Sequence, residues 1–374
     1  MKVMLTKTMT AIELGSHFSI PAALVEQSNP ALCAPYQKGT EVQIPGYEWR
    51  EGASSAESPC MPTIEGKGAK YEACKVNETI DSRQIRYHSQ AFYRDVEKII
   101  QKYPFIHAHI IGKTVMDQPI IELTTGIGKR KVHMNASFHA NEWITSALLM
   151  DWLEQFAADL IHGNERFGHS PLKLFTENSL SIVPMVNPDG VDLVLNGLPD
   201  DSSYHSKILQ INHDSLNFTQ WKANLLGVDL NNQFPALWEI EKERKIPKCP
   251  APRDYPGDYP LSEPESIAMA DLAERKQFDR LLCFHTQGEE IYWGYLNNEP
   301  EESGLIVKEF CILSGYAEFR NIDSHAGYRD WFMYTQKKAG FTIELGIGEN
   351  PLPLDQYESI RKKGEGIFQA ALYM

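Results

Sequence analysis

No two of the six cysteines form a C-x-x-C pair; they stand far apart, at 33, 60, 74, 249, 283 and 311. That spacing argues against a zinc ribbon and a thioredoxin-type redox site. Six thiols in 374 residues are also too few for a disulfide scaffold, so reduced structural thiols in a cytosolic chain are expected. The opening stretch, MKVMLTKTMTAIELGSHFS, has neither an apolar h-region nor a small-residue cleavage site, and no export signal is expected. No apolar run approaches the ~18 residues that span a bilayer, so no membrane partner is expected. Positive charge is in deficit: 36 Lys+Arg against 50 Asp+Glu leave a net −14. This balance disfavours nucleic acid or an anionic membrane as a bulk partner. It leaves an acidic substrate open, because one basic residue can reverse the sign inside a cleft. Disorder over most of the chain is disfavoured by a composition of 42% hydrophobic and 23% charged residues, ordinary for a globular protein.

Three stretches differ in pattern. Residues 1–47 hold two short helix-like pieces, Ala11–Phe18 and Ala22–Gln27, then an apolar strand at Val42–Ile44 closed by Pro45-Gly46. The pieces LGSHFSIP, SNPAL and KGTEVQIPG resemble the later part of a LysM module, a small βααβ fold that binds glycan chains. The usual Gly-Asp-Thr opening is replaced by Lys7-Thr8-Met9-Thr10, so glycan binding and a retained structural cap are equal readings. Residues 48–80 carry Gly, Ser, Pro and Lys clusters without periodicity, the composition of a linker. From 81 to 374 strands and helices alternate. Strands are expected at Ala108–Ile111, Ile120–Thr124, Lys131–Ala136, Leu180–Val186, Leu281–His285 and Gly340–Leu345, with helices at Phe92–Tyr103, Trp143–Leu160, Glu263–Lys276, Leu305–Ser314 and Ser359–Tyr373. The near-continuous apolar runs suit strands covered on both faces, hence an α/β domain with a mixed sheet and ligands at the carboxyl ends of its strands.

Three short segments carry chemistry. His139-Ala140-Asn141-Glu142 follows a strand directly, and a His and a Glu three residues apart converge on one metal if the chain turns tightly there. Alone, the pair reads equally as a surface His and a Glu that suits a helix N-terminus. Phe284-His285-Thr286 ends a second buried strand and offers a third ligand. Glu344 sits in the apolar strand end Thr342-Ile343-Glu344-Leu345-Gly346. A carboxylate is costly to bury without a partner, so Glu344 is expected to face a cleft or a metal-bound water. Three ligands and one base are what a zinc hydrolase needs.

The order His139-x-x-Glu142, Asn187-Pro188-Asp189-Gly190, Gly227-Val228-Asp229-Leu230-Asn231, Phe284-His285-Thr286 and Phe341-Thr342-Ile343-Glu344 resembles the zinc metallocarboxypeptidases. The resemblance implies an eight-stranded mixed sheet flanked by helices. It also implies one zinc on His139, Glu142 and His285, Glu344 as general base, and Lys222 where the family uses an arginine to polarise the scissile carbonyl. Asn231 would orient substrate. The departures are informative. Asn232 replaces the arginine that grips a substrate's C-terminal carboxylate, and an amide cannot pair bidentately with that group. A gap-free count puts Ile322 where the family has a mobile tyrosine.

Arg329, just before Asp330-Trp331, falls where the family sets side-chain specificity, and an arginine there favours a carboxylate-bearing group; the plain alternative is a surface arginine paired with a neighbouring acid. The runs Gly227–Pro235 and Ala326–Phe332 are similar to the bacterial branch that hydrolyses the γ-D-glutamyl–meso-diaminopimelate bond of peptidoglycan stem peptides and carries LysM modules. The resemblance therefore implies stem peptides or muropeptides as substrate, with glycan as a second partner through the N-terminal unit. It implies a bacterial chain; with no export signal expected, action in the cytoplasm, in a spore compartment or after release by another route stays open. A true carboxypeptidase with Arg329 as its clamp is the first alternative, and a non-catalytic peptidoglycan-binding protein the second. Glu289 and Glu290 read as loop acids after His285, and the run Tyr292-Trp293-Gly294-Tyr295 as packing beside the cleft or lining it.

Overall fold

A computed structural model describes residues 1–51, 71–76 and 86–374. Strands β1 (Lys2–Met4) and β2 (Glu41–Gln43) pair antiparallel, with helices Ala11–Phe18 and Ala22–Gln27 between them in the chain. This is the βααβ order expected for 1–47. The first helix starts at a capping box: Glu13 N donates to Thr10 Oγ1 and Thr10 N donates to the Glu13 carboxylate. Strands β3 (Tyr47–Glu51) and β4 (Tyr71–Lys75) also pair antiparallel. The segment 48–80 thus carries ladder structure near both ends, where its composition read only as linker. Its residues 52–70 and 77–80 lie outside the described residues.

The small unit is packed against the rest. Tyr47 Oη donates to Phe18 O, Gly46 N to Lys102 O at 2.8 Å, and Lys75 Nζ to Ser19 O and Ile161 O at 3.3 and 3.2 Å. Gly46 has φ +69°, and a Cβ there would lie 2.7 Å from Ile161 Cγ1, so the junction needs glycine for both conformation and space. Leu14, Phe18 and Val42 belong to the same apolar core as Ile161 and Leu153.

Eight strands follow: β5 (His107–Lys113), β6 (Pro119–Thr125), β7 (Arg130–Ala136), β8 (Asn178–Val183), β9 (Arg280–His285), β10 (Glu290–Trp293), β11 (Ala317–Arg320) and β12 (Ala339–Glu344). They form one sheet in the order β11-β10-β12-β9-β7-β8-β6-β5. The central four, β8-β7-β9-β12, are parallel. β5 and β6 join antiparallel at one edge; at the other, β10 runs antiparallel to β12 and β11 parallel to β10. β9 is buried along its whole length, as a parallel strand covered on both faces must be. Helices Ile144–His162 and Tyr357–Tyr373 pack against each other and supply apolar cover. Strands β10 and β11 were not legible as strands in the sequence, being four residues each, β10 mostly half-buried and the edge strand β11 exposed along its length. Among the described residues no helix is long and apolar enough to cross a membrane.

The topology sets the site. Three neighbouring parallel strands, β7, β9 and β12, end on the same side of the sheet, and the three motifs lie at those ends. His139 follows β7, His285 is the last residue of β9 and Glu344 the last of β12, with Glu344 in register with His285.

Candidate active site

The turn after β7 is built to bring His139 and Glu142 together. Ser137 takes φ +49°, sparsely populated for a side-chain-bearing residue. It is held there by hydrogen bonds: Ser137 N donates to Thr145 Oγ1 at 3.1 Å, and its Oγ lies 2.7 Å from Ser146 Oγ. Both partners lie in the first turn of helix Ile144–His162, so the helix start stabilises the bend that aims the pair. A single 3₁₀ turn, Ala140–Glu142, completes it.

His139, Glu142 and His285 are 4%, 2% and 2% exposed. Their ligand atoms all lie within 4.8 Å of one another. The two Nδ1 atoms are 3.1 Å apart, and the Glu142 carboxylate lies 2.8 Å from His139 Nδ1 and 2.9 Å from His285 Nδ1. Two imidazole nitrogens and a carboxylate turned toward one buried point are a donor set that zinc takes. The chain thus brings together all three metal ligands expected from sequence.

Other side chains fix these ligands. Asp229 Oδ1 lies 3.2 Å from His139 Nε2, the arrangement by which a carboxylate orients a metal-binding imidazole through its far nitrogen. Burial opposes the Asp229 charge, but His139 and Lys222 outweigh it and hold this carboxyl well below the usual range. Burial likewise opposes the Glu142 charge; the two histidines overcome it and hold Glu142 ionised. Burial keeps His285 below its ordinary value despite Glu142, so this imidazole is neutral and able to ligate. Thr286 N donates to Glu142 Oε2 at 3.3 Å and Asn350 Nδ2 to Glu142 Oε1 at 3.4 Å; Thr286 Oγ1 in turn donates to Asn350 Oδ1 at 2.7 Å. The sequence reading missed these positioning roles. Asp229 offered a signal, a carboxylate inside the Gly227–Asn231 motif; Asn350 offered none.

Lys222 joins the same cluster. Its carbonyl accepts from Ala140 N at 3.1 Å, tying its loop to the ligand turn. Burial pushes the ammonium down, but Asp229, Glu142, Asp254 and Glu344 outweigh it and the net shift is upward, so Lys222 is a cation. Burial, then the charge on Glu142, pushes the Glu344 carboxyl up, while Lys222 and His139 pull it down. A proton acceptor with a raised pKa beside a fixed cation suits general base work.

The remaining expected residues stand around this centre. Asn231 Oδ1 accepts from Tyr328 N at 3.2 Å, tying the Asp229–Asn231 segment to helix Tyr328–Gln336. Asn232 is 7% exposed beside it. Arg329 is no surface arginine: it is 4% exposed. Its Nε donates to Asp330 Oδ1 at 3.0 Å and its Nη2 to the same atom, while the buried Nη1 has no partner. The neighbouring-acid pairing is therefore present, but it leaves donor capacity over. Its Cγ lies 3.2 Å from where a Cβ on Gly340 would stand, so the residue packs over β12. Residues two apart on a strand share a face, so this is the face of β12 that also carries Thr342 and Glu344.

Comparison with known proteins identifies the family. The sequence profile of the zinc carboxypeptidases, peptidase M14, matches residues 92–310. The chain belongs to the zinc carboxypeptidase family. It is 47% identical over 291 residues to a γ-D-glutamyl-L-diamino acid endopeptidase of Lysinibacillus sphaericus, covering 78% of this chain and 73% of that one. It is 50% identical over 303 residues to the Bacillus subtilis protein YqgT, 80% of each chain. Among solved structures, carboxypeptidase A of Helicoverpa armigera superposes with a TM-score of 0.58 at 20% identity, covering 80% of this chain and 77% of that one, a likeness of fold. The eight-stranded mixed sheet flanked by helices and the zinc requirement are thus family features that this chain has the residues to meet.

One prediction concerns the ligand shell. Asp229→Asn is expected to weaken zinc binding about 10–100-fold with the fold intact, because the amide no longer fixes the His139 ring. Competition with a chromogenic chelator measures it; an unchanged affinity would remove Asp229 from that role.

Proposed function

We propose that this zinc peptidase hydrolyses the γ-D-glutamyl–diaminopimelate bond of peptidoglycan stem peptides. The observation that carries the reading is the pair of changes around the substrate pocket. By the motif resemblance, Asn232 stands where a carboxypeptidase needs its carboxylate clamp, and Arg329 brings a buried guanidinium with an unpartnered Nη1 to the face of β12 that carries Glu344. Diaminopimelate carries a second carboxylate at the end of its side chain, which an arginine recognises with paired, charge-assisted hydrogen bonds. The 47% identity to an endopeptidase with γ-D-glutamyl-diamino acid specificity supports the same reading.

His139, Glu142 and His285 would hold the zinc, which would supply Lewis acidity and lower the pKa of a water to near neutrality. Glu344 takes a proton from the attacking water on its carboxylate as the new C–O bond forms, and returns it to the leaving amine as the C–N bond breaks. Lys222 stabilises the negative charge that develops on the carbonyl oxygen. Asn231 orients the peptide from its place between Asp229 and Tyr328. The products are a free γ-carboxylate on D-glutamate and a free α-amine on diaminopimelate. Removal of a single C-terminal residue is disfavoured by Asn232. A purely binding role is disfavoured by the complete ligand set with its base.

The proposed organisation is a small unit at 1–47, a connector at 48–80 and a catalytic domain at 81–374. The first serves as structural cap or glycan contact, and the enzyme acts in the cytoplasm or a spore compartment.

Arg329→Met is expected to lower kcat/KM on a diaminopimelate stem about 10–100-fold, the scale of losing a charge-assisted pair. The loss should be much smaller on a stem with a neutral third residue. Steady-state kinetics on the two stems measures it, and equal loss on both would remove Arg329 as the specificity residue.

A further inference from the structure

Glu290 reads as a loop acid in sequence, yet it is the first residue of β10 and lies directly opposite Glu344 in the antiparallel β10–β12 register, with Tyr292 opposite Thr342. Directly opposed residues share a face of the sheet. Glu290 and Tyr292 therefore point to the side occupied by Glu344 and Thr342, the side over which Arg329 packs at Gly340. The exposure pattern agrees. Ile291, Phe341 and Ile343, on the other face, are fully buried, whereas Glu290, Tyr292, Thr342 and Glu344 are only half-buried. Tyr292 Oη donates to Glu290 Oε2, which holds the carboxylate on this face. Among the described residues no lysine or arginine pairs with Glu290, although its neighbour Glu289 pairs with Lys363. This one face of the sheet thus carries both an anion held by Tyr292 and the Arg329 cation.

We propose that Glu290, held by Tyr292, binds the distal ammonium of the diamino acid on the leaving side of the scissile bond, while Arg329 takes the carboxylate on the same distal carbon. This rests on the γ-D-glutamyl–diamino acid reading above and extends it to the amine. A pocket lined by an arginine alone would accept any long acidic side chain. A pocket with both signs selects a zwitterionic side-chain end, because an acid without the amine leaves the Glu290 charge with its Tyr292 hydrogen bond and no cation. A competing role for Glu290 is purely electrostatic: it raises the Glu344 carboxyl and would then affect every substrate alike.

The test uses the zinc-loaded full chain and three stems that differ only at the third residue: meso-diaminopimelate, 2-aminopimelate, which keeps the distal carboxylate and lacks the amine, and norleucine. The wild type should prefer diaminopimelate over 2-aminopimelate by at least tenfold in kcat/KM. Glu290→Gln should reduce that preference by about 10–100-fold, and Tyr292→Phe should reduce it in the same direction to a smaller extent. Uniform loss on all three stems, with a shifted pH profile, overturns the proposal and leaves Glu290 acting only through Glu344. If the wild type cleaves the γ-D-glutamyl bond of diaminopimelate and 2-aminopimelate stems equally well, the ammonium site is wrong and the function stands. If it cleaves no γ-D-glutamyl bond, both fall. Should Glu290→Gln fail to fold, inhibition of the wild type decides: free meso-diaminopimelate should inhibit at least tenfold more tightly than 2-aminopimelate, and equal inhibition overturns the proposal.

Discussion

Glu344→Gln is expected to lower kcat by about 10²–10⁴-fold, the range associated with a positioned general base, while the protein keeps one zinc per chain. The amide preserves size and strand pairing, so β12 should stay in register with β9 and β10. It cannot accept the proton of the attacking water. Glu344 lies outside the ligand cluster of His139, Glu142 and His285, so its loss should leave metal content unchanged. Turnover on a stem peptide and elemental analysis of the same sample check both halves. Retained activity would exclude Glu344 as base, and loss of zinc would make it a ligand.

Lys222→Met should lower kcat by about 10²–10³-fold, the cost of removing one donor from a developing oxyanion. It should also change the pH profile in a defined direction. The Lys222 charge pulls the Glu344 carboxyl down. Removing it raises that pKa, so the base stays protonated to higher pH and the acidic limb of the kcat profile moves up. Lys222→Arg keeps the charge and should restore both the rate and the position of the limb in large part. A Met variant that loses rate with no movement of the limb would mean that Lys222 acts on the substrate alone. An unchanged rate would remove it from the mechanism.

Much of this centre was legible in the sequence because its signals are local. A His-x-x-Glu directly after an apolar run, a histidine ending another run and a carboxylate at the end of a third each violate a burial pattern, and parallel strands put all such ends on one side. What depended on distant pairing was not legible. β10 is a strand because β12, more than 40 residues further on, supplies its partner; without that ladder Gly288-Glu289-Glu290 looks like a loop, and Glu290 was read so. Asp229 reaches His139 across 90 residues of chain and Asn350 reaches Glu142 across 208. Tyr47–Glu51 and Tyr71–Lys75 flank a stretch of linker composition, and only their mutual pairing marks them as strands. For Arg329 the local reading was half right. The pairing with Asp330 is real, but helix Tyr328–Gln336 buries the side chain against β12 instead of presenting it to solvent.

The central claim is that the scissile bond lies on the amino side of the diamino acid. The most direct measurement is mass spectrometry of products from the tripeptide, tetrapeptide and pentapeptide stems incubated with the zinc-loaded protein, with and without a chelator. The account predicts one dipeptide, L-alanyl-D-glutamate, from all three stems, together with a product that begins at diaminopimelate, and loss of both with the chelator. Release of a single C-terminal residue with the γ-D-glutamyl bond intact would contradict it.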